Sequence, residues 1–482
     1  MNDIGQKFKS GLFWSVIGQF GYLFVTFLTN ILLARLLSPK EFGIIAIATF
    51  FIALSKVLTE SGLSGALIRK KDATEIDNST IFIFNLAVSI MLYSVLFIVS
   101  PQIENFYGIE NLATYLRVLG VVLLINSFQI IQNVRLVKKM EFKKISTCSL
   151  VSVILSSLIA VVIALLGYGI WALILLQVLN ALFLTILYWM KEEGLKVFVF
   201  SKASFMELYG FGLYTTLSSL LDTGFDNVYQ LILGKYFSLG QTGFYYQAKK
   251  FTEIPVGIIK STTLGVVFST LSNIQDDKDK FDNMYSNIIK VFTVIVGLIC
   301  LGLFVFSKEI IYMFYGIKWL DADFYLKVLA LSSFFYMQEM FNRILFKVFN
   351  QTHKIFILEL IKKTINLLSL IFGIYYRSLE ILLYGYFITC ILSYFINYYV
   401  SRTVYRSSAV LKEMGYTLKV IFTITVVSVV YYVLQRLIEL DHFIYNLVFI
   451  PIVIILYMFI LHLLNVVNFK KDFNLLKSLK NK

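Results

Sequence analysis

Long apolar runs, each ended by charged residues, recur from one end of this chain to the other. A run of about 20 apolar residues can cross a bilayer as a helix, in which the backbone polar groups are bonded internally. The 482 residues are 58% hydrophobic and 15% charged, whereas soluble domains average about 25% charged. We therefore expect an all-α integral membrane protein rather than a soluble enzyme, a secreted disulfide scaffold or a nucleic-acid-binding protein.

The apolar runs predict about 14 transmembrane helices joined by short connections. Their approximate bounds are 12–34, 42–67, 78–100, 112–134, 146–167, 169–190, 207–233, 243–271, 285–307, 325–348, 355–376, 379–401, 417–436 and 443–464. Connections this short leave no room for a large extramembrane domain.

Basic residues are divided unequally between the two sets of alternating connections. Because Lys and Arg in short loops resist translocation, the richer set is expected in the cytoplasm. That set includes both termini, whereas the poorer set contains Arg35, Lys40, Lys235, Lys308, Lys318, Arg377 and Arg436. We therefore predict cytoplasmic N- and C-termini, and we attribute the formal net charge of +14 to topology and to attraction by anionic lipid.

The chain resembles itself at an offset of about 200 residues. LLARLLSPKEFG at 32–43 aligns with ILGKYFSLGQTG at 232–243, and FYGI recurs at 106–109 and 314–317. Chance similarity between Leu-rich helices is the alternative, but the polar residues and glycines match in order. Since each copy holds six spans, an even number, both copies would have the same orientation and be related by a pseudo-twofold axis along the membrane normal.

The duplication predicts three regions. An N-lobe at 1–200 holds spans one to six, a C-lobe at 201–410 holds spans seven to twelve, and 411–482 holds two extra C-terminal helices and a basic cytoplasmic tail. Two six-helix lobes that face each other would enclose a cleft. Rocking of the lobes would open this cleft to each side of the membrane in turn, which is alternating access.

Several ionisable residues fall inside the predicted spans, where a charge costs about 2.5–3.5 kcal/mol and usually faces a cavity or an opposite charge. Basic residues from both lobes suit an anionic substrate, above all a phosphate. The candidate substrate-binding residues of this cationic cleft are Arg35, Lys56, Lys249, Lys260 and Arg343. The candidates for binding a coupling proton or sodium ion are Asp222, Asp226 and Glu253.

The same residues also have structural interpretations, which the sequence leaves open. Spacing suitable for ion pairs along one helix occurs in Lys56–Glu60, Lys249–Glu253 and Glu339–Arg343. Lys362 and Lys363 could extend to the membrane interface. Amides that could bind a hydrophilic substrate, or equally join helices to one another, are Asn85, Asn126, Gln129, Gln132, Gln177 and Asn180.

Four segments carry a resemblance to a known family. They are ILLARLLSPKEFG at 31–43, GLSGALIRK at 62–70, VRLVKKMEFKKI at 134–145 and LILGKYFSLGQTGFYYQAKKF at 231–251. They resemble the polysaccharide transporter family of the MATE-like (MOP) flippase superfamily, which contains the Wzx-type lipid-linked oligosaccharide flippases. One departure is Ser269, because the family usually has a proline there that would kink span eight.

This resemblance implies transport of an undecaprenyl-diphosphate-linked oligosaccharide from the cytoplasmic to the outer leaflet, for export of a surface polysaccharide. It implies a bacterial inner membrane location, and membrane lipid, a polysaccharide polymerase and glycosyltransferases as partners of a monomer. It also implies that spans thirteen and fourteen add a groove for the lipid tail.

Two other functions remain open. A multidrug or metabolite cation-coupled antiporter of the same superfamily would favour acidic cleft residues. A membrane glycosyltransferase or polymerase acting on the same lipid carrier would show an acidic pair or a histidine in a large outer loop. The histidines, His353, His442 and His462, lack metal-ligand spacing. We therefore expect no enzyme activity, no cofactor, no bound metal and no nucleic-acid partner.

Overall fold

The computed structural model describes residues 2–60, 63–438 and 443–467, and within them it contains helices and no strands. The predicted basic tail from 470 onward lies outside these residues. The described chain divides into two compact units, Met1–Tyr246 and Gln247–Lys482, which we call the N-terminal unit and the C-terminal unit. The boundary falls inside one helix and does not follow the duplication, so the three predicted regions stay a prediction.

The N-terminal unit is a bundle of long helices. Their bounds are α1 (Asn2–Leu36), α2 (Pro39–Glu60), α3 (Leu63–Arg69), α4 (Glu75–Tyr107), α5 (Leu112–Lys138), α6 (Phe142–Leu165), α7 (Trp171–Lys191), α8 (Lys202–Tyr236) and the start of α9 (Leu239–Thr262). Helix α1 packs against α6, α6 against α7, and α5 against both α4 and α7. Helix α2 packs against α5 and α8 and so lies between them.

Within its described residues, the C-terminal unit contains the remainder of α9 and eight further α-helices. Their bounds are α10 (Phe268–Ser272), α11 (Lys278–Val305), α12 (Ser307–Tyr315), α13 (Ala322–Val348), α14 (Thr352–Tyr375), α15 (Leu379–Val404), α16 (Ser408–Leu437) and α17 (Ile450–Leu463). A π-helical segment, Thr263–Val267, joins α9 to α10, and 3₁₀ segments lie at Ile317–Trp319 and Phe443–Phe449. Helix α13 packs against α11 and α15, and α15 also packs against α14.

The predicted all-α membrane fold is confirmed. Every predicted span overlaps a helix, and 11 helical stretches among the described residues are long and apolar enough to cross a membrane. Helices α8, α13 and α14 are not among those 11, and they contain Asp222, Asp226, Arg343 and Glu359. The count of 14 spans therefore stays a prediction.

The two copies of the duplicated segment begin their helices with the same device. At the start of α2, the Ser38 backbone N–H donates to the Glu41 carboxylate at 2.7 Å. At the start of α9, the Ser238 backbone N–H donates to the Gln241 side chain at 3.0 Å, and the Gln241 N–H donates back to the Ser238 hydroxyl at 3.1 Å. This is the capping box expected from Ser-x-x-Glu or Ser-x-x-Gln.

Helices α2 and α9 also approach each other through matched glycines. A Cβ atom at Gly43 would lie 2.0 Å from the Leu239 carbonyl oxygen, and one at Gly243 would lie 1.9 Å from the Pro39 carbonyl oxygen. The four residues form two pairs that differ by the offset of the duplication. Reciprocal contact of this kind is typical of a twofold relation between equivalent segments.

Helices α16 and α17, which have no counterpart in the duplication, are part of the core of the C-terminal unit. Val420 and Tyr457 are buried with residues of α11 and α13. A Cβ atom at Gly297 of α11 would lie 2.4 Å from both Val420 Cγ1 and Tyr457 Oη. The glycine thus allows a close three-helix contact, and the two extra helices are built into this unit rather than added at its edge.

Span eight is irregular even though Ser269 replaces the family's usual proline. Helix α9 contains Pro255, and the π-helical segment Thr263–Val267 comes directly before α10, which holds Ser269. Single π-helical turns inside α-helices often occur at functional sites. The irregularity expected from a proline at 269 therefore lies in the turn before it.

Some of the basic residues that predict orientation also join helices of the N-terminal unit. Lys70 Nζ lies 2.9 Å from Glu207 of α8 and 3.1 Å from Asp77 of α4. Arg135 of α5 lies 2.5 Å from Glu75. The hydrogen bond with Glu207 raises the pKa of Lys70 above its ordinary value. These loops therefore stabilise the packing of α3, α4, α5 and α8 as well as carrying the charge that orients the chain.

Candidate functional site

A polar cavity of about 210 Å³ lies in the N-terminal unit, between α2, α5 and α7. All three helices belong to stretches able to cross a membrane. The cavity is lined by Lys56, Thr59, Leu123, Asn126, Gln129, Ile130, Asn133, Leu184 and Tyr188. A polar cavity among membrane-spanning helices marks a candidate substrate pathway, because unsatisfied polar groups in hydrocarbon are costly.

The amide side chains of this cavity come from one face of α5. Asn126, Gln129 and Asn133 are spaced three and four residues apart, so they lie above one another along the helix. The Gln129 Nε2 atom donates to Asn126 Oδ1 at 2.6 Å, and Gln129 Oε1 is buried without a hydrogen-bond partner. The residues that alternate with them, Ile131 and Val134, pack into a hydrophobic core with α3 and α4.

The cationic group of the cavity is Lys56 of α2, one of the predicted substrate-binding residues. Its side chain is exposed, and Thr59, one turn further on, is buried with its hydroxyl bonded to the Ser55 carbonyl at 3.0 Å. The cavity therefore combines one ammonium group with neutral amide donors and acceptors. Such a set can bind an anionic group and neighbouring hydroxyl groups at the same time.

Arg343, a second predicted substrate contact, lies in a network of charges in the C-terminal unit. Its guanidinium lies 2.9 Å from Glu359 and 3.8 Å from Glu339. Lys362 of α14 forms ion pairs with the same two carboxylates, with Glu339 and, at 2.6 Å, with Glu359. The expected Glu339–Arg343 pair is thus half of a four-residue network with two charges of each sign.

Lys362 does not extend to the membrane interface. Its side chain is 8% exposed and that of Glu339 is 5% exposed, so both charges are desolvated by packing between α13 and α14. The interfacial interpretation of Lys362 is therefore wrong. A buried ammonium group is tolerated here because two carboxylates surround it.

On α9, Glu253 pairs with two lysines of its own helix, at 3.9 Å from Lys249 and 2.8 Å from Lys250. The structural interpretation of Lys249 and Glu253 as an ion pair along one helix is therefore present. Whether Lys249 also binds substrate, and Glu253 an ion, stays a prediction.

Two of the predicted substrate contacts share a neighbour in the C-terminal unit. Lys260 is exposed on α9, and it and Arg343 are near enough to Lys347 to repel its charge. Of these three cations, Arg343 forms ion pairs with the Glu339 and Glu359 carboxylates. The C-terminal unit therefore presents a local concentration of positive charge beside its ion-pair network.

The remaining predicted residues do not line the cavity of the N-terminal unit. Arg35 is exposed in the last turn of α1, and Asp222 and Asp226 are exposed on α8. The structure thus brings Lys56 together with amides, and it places Lys260 and Arg343 within electrostatic range of the same lysine, Lys347. The roles of Arg35, Asp222 and Asp226 stay predictions.

Sequence reasoning missed several polar residues. Asn133, Thr59 and Tyr188 line the cavity, and the amide spacing along α5 was a signal for Asn133. Glu413, which is 1% exposed, accepts a hydrogen bond from the Tyr285 hydroxyl at 2.8 Å. It was missed because the predicted span thirteen begins at 417, after this residue, whereas α16 begins at Ser408.

Comparison with known sequences identifies relatives. Residues 32–324 match the sequence model of a family described as "Polysaccharide biosynthesis protein". The succinoglycan biosynthesis transport protein ExoT of Rhizobium meliloti is 28% identical over 320 residues, which cover 66% of this chain and 65% of that protein. The teichuronic acid biosynthesis protein TuaB of Bacillus subtilis is 25% identical over 338 residues, 69% of each chain. The chain thus matches about two thirds of the length of these relatives.

Comparison with solved structures identifies the fold. A structure of the lipid II flippase MurJ in an inward closed conformation matches with a TM-score of 0.73 and 17% identity, over 92% of this chain and 97% of that chain. An inward-facing multidrug resistance MATE family transporter of the MOP superfamily matches with a TM-score of 0.59 and 16% identity, over 80% of this chain and 96% of that chain. The predicted family resemblance is confirmed by the sequence match, and the likeness to these two structures shows the fold. Because the family match covers well over half of the chain, this membrane protein belongs to the polysaccharide biosynthesis protein family.

Proposed function

We propose that this protein transports a lipid-linked oligosaccharide, carried on undecaprenyl diphosphate, from the cytoplasmic to the outer leaflet of a bacterial inner membrane. Transport proceeds by alternating access, with both termini in the cytoplasm and no covalent chemistry. The relatives named for succinoglycan transport and teichuronic acid biosynthesis, and the structural likeness to a lipid II flippase, support this class of substrate.

The observation that carries the proposal is the cavity around Lys56. A diphosphate and its sugars cannot enter hydrocarbon without losing their hydration, so a transporter must replace the water with polar side chains. The cavity supplies an ammonium group and amides within three membrane-spanning helices. The prenyl chain needs no such replacement and stays in lipid.

Other charged residues complete the proposal. Lys249, Lys260, Arg343 and Arg35 are proposed as further contacts of the diphosphate, and the position of Lys260 and Arg343 within electrostatic range of Lys347 supports this role. Asp222, Asp226 and Glu253 are proposed to bind a coupling ion. The protein is proposed to act as a monomer, in sequence with glycosyltransferases that assemble the glycan and a polymerase that extends it.

The test is export of glycan by variants of Lys56 in cells that lack the chromosomal copy of the gene. We expect Lys56→Ala to lower surface polysaccharide about 10-fold or more, since a hydrogen bond to a charged group contributes about 1.5–3 kcal/mol. The lipid-linked precursor should accumulate in the same cells. Lys56→Arg, which keeps the charge, should retain much of the export.

A matched control is Lys412→Ala, which removes an exposed lysine from the first turns of α16. Its export should equal that of the wild type. Normal export by both Lys56→Ala and Lys249→Ala would refute the proposed cationic site. Loss of drug resistance in the deletion strain, with glycan export unchanged, would instead identify the antiporter function.

A further inference from the structure

We propose that the amide face of α5, formed by Asn126, Gln129 and Asn133, is a binding subsite for the hydroxyl groups of one sugar ring of the cargo. This inference rests on the proposed function, and it adds a determinant of which glycan is accepted. Lys56 holds the charged group of the substrate, whereas the amides distinguish one sugar from another. Charge and selectivity thus reside on different helices that line one cavity.

The chemistry of amides fits hydroxyl groups. Each Asn or Gln side chain offers two N–H donors and one carbonyl acceptor, which complement the donor and acceptor sites of a sugar hydroxyl. A second ammonium or carboxylate at these positions would instead favour an ion. Among the described side chains, the lining contains one lysine and no acidic residue. The amides are therefore suited to bind hydroxyl groups rather than an ion.

The hydrogen bonds of these amides also favour a ligand over a role in joining helices. Within the described residues, the bond they make is the 2.6 Å contact from Gln129 to Asn126, which lies along α5 itself. Gln129 Oε1 is buried and has no donor. A buried acceptor without a partner costs about 1–3 kcal/mol, and a hydroxyl group donated by a bound sugar would remove this cost.

The size of the cavity limits what it can bind. Its volume of about 210 Å³ is on the scale of a single sugar ring. Since Lys56 lines the same cavity, the ring in this subsite would be the one next to the charged group of the carrier.

The helix offers a matched pair of glutamines for the test. Gln129 lines the cavity, whereas Gln132, three residues further along α5, is fully buried and does not line it. Neither atom of the Gln132 amide has a partner, so its removal breaks no hydrogen bond. Gln129→Met and Gln132→Met are therefore the same chemical change inside and outside the proposed subsite.

The experiment measures flipping in proteoliposomes with undecaprenyl diphosphate that carries a single glucose, galactose, N-acetylglucosamine or N-acetylgalactosamine. The wild type should flip at least one of these probes faster than its epimer. The single variant Gln129→Met and the double variant Gln129→Met with Asn126→Leu should both reduce this preference. The expected reduction is about 3- to 10-fold for each hydrogen bond lost. Gln132→Met should keep the wild-type preference, and Lys56→Ala should slow all four probes by a similar factor.

The outcomes separate the two proposals. Unchanged preferences in Gln129→Met and in the double variant would refute the subsite and leave the proposed function in place. Equal flipping of all four probes by the wild type would also refute the subsite. If the wild type flips none of them faster than empty liposomes, both proposals fail. Elution of each variant as a monodisperse peak in size-exclusion chromatography shows that altered preferences do not come from misfolding.

Discussion

The buried ion pairs between α13 and α14 allow a quantitative prediction about stability. Replacing Lys362 by Met leaves Glu339 with the Arg343 guanidinium at 3.8 Å, while Glu359 keeps Arg343 at 2.9 Å and the weaker attraction of Lys363. The Glu339 side chain is 5% exposed, so solvent cannot compensate for the lost ammonium group. Breaking a buried pair by removing one partner costs about 3–5 kcal/mol. At about 2–4 °C per kcal/mol for a domain of this size, Tm should fall by about 6–20 °C.

The three buried cysteines, Cys148, Cys300 and Cys390, provide the assay, because a thiol-reactive dye reports their exposure as the purified protein unfolds on heating. The control is the charge-balanced variant that combines Lys362→Met with Glu339→Met, which leaves Arg343 and Glu359 as one pair. Its Tm should recover most of the loss, since apolar replacement of a whole buried pair is often neutral or stabilising. An unchanged Tm in the single variant, or a lower one in the double variant, would show that the network does not stabilise the C-terminal unit.

Three further predictions follow from close contacts and from one exposed ion pair. Gly43→Ala should reduce the yield of folded protein in membranes several-fold, because its Cβ atom would meet the Leu239 carbonyl at 2.0 Å; near-normal yield would contradict this packing. Gly297→Val should lower Tm in the same dye assay, whereas an unchanged Tm would mean that α16 and α17 can shift outward without loss. The pKa of Lys70 is raised by Glu207, so its stabilisation should be complete below pH 10.5 and lost at higher pH. The Tm difference between wild type and Lys70→Met should therefore be constant from pH 7 to pH 9 and shrink at higher pH.

Much of the fold could be predicted because its determinants are local. Apolar runs of bilayer length specify the helices, and Ser-x-x-Glu at 38–41 and Ser-x-x-Gln at 238–241 specify where two of them begin. The duplication was visible because it includes residues with a conformational role, such as Gly43 and Gly243. The sequence could not exclude chance similarity, and the reciprocal contact of these two glycines now supports the alignment.

The site was less predictable because it depends on which face of a helix meets which neighbour. Asn126, Gln129 and Gln132 were equivalent in the sequence, yet the first two line a cavity and the third is buried away from it. Helical periodicity states which residues share a face but not whether that face meets a cavity or a core. Lys362 likewise pairs with Glu339 of a different helix, a partner that no spacing along the chain could specify.

The contact between α2 and α9 constrains how the two halves of the gene can diverge. A methyl group acquired at Gly43 would strike the main chain at Leu239, and one acquired at Gly243 would strike it at Pro39. Neither Gly43 nor Gly243 can therefore be replaced by a larger residue unless the main chain of the facing segment moves. A change of side-chain rotamer cannot relieve the clash, because the atoms contacted are main-chain carbonyls. Both glycines must therefore be kept for this close packing, and the two aligned segments remain recognisably alike at this place.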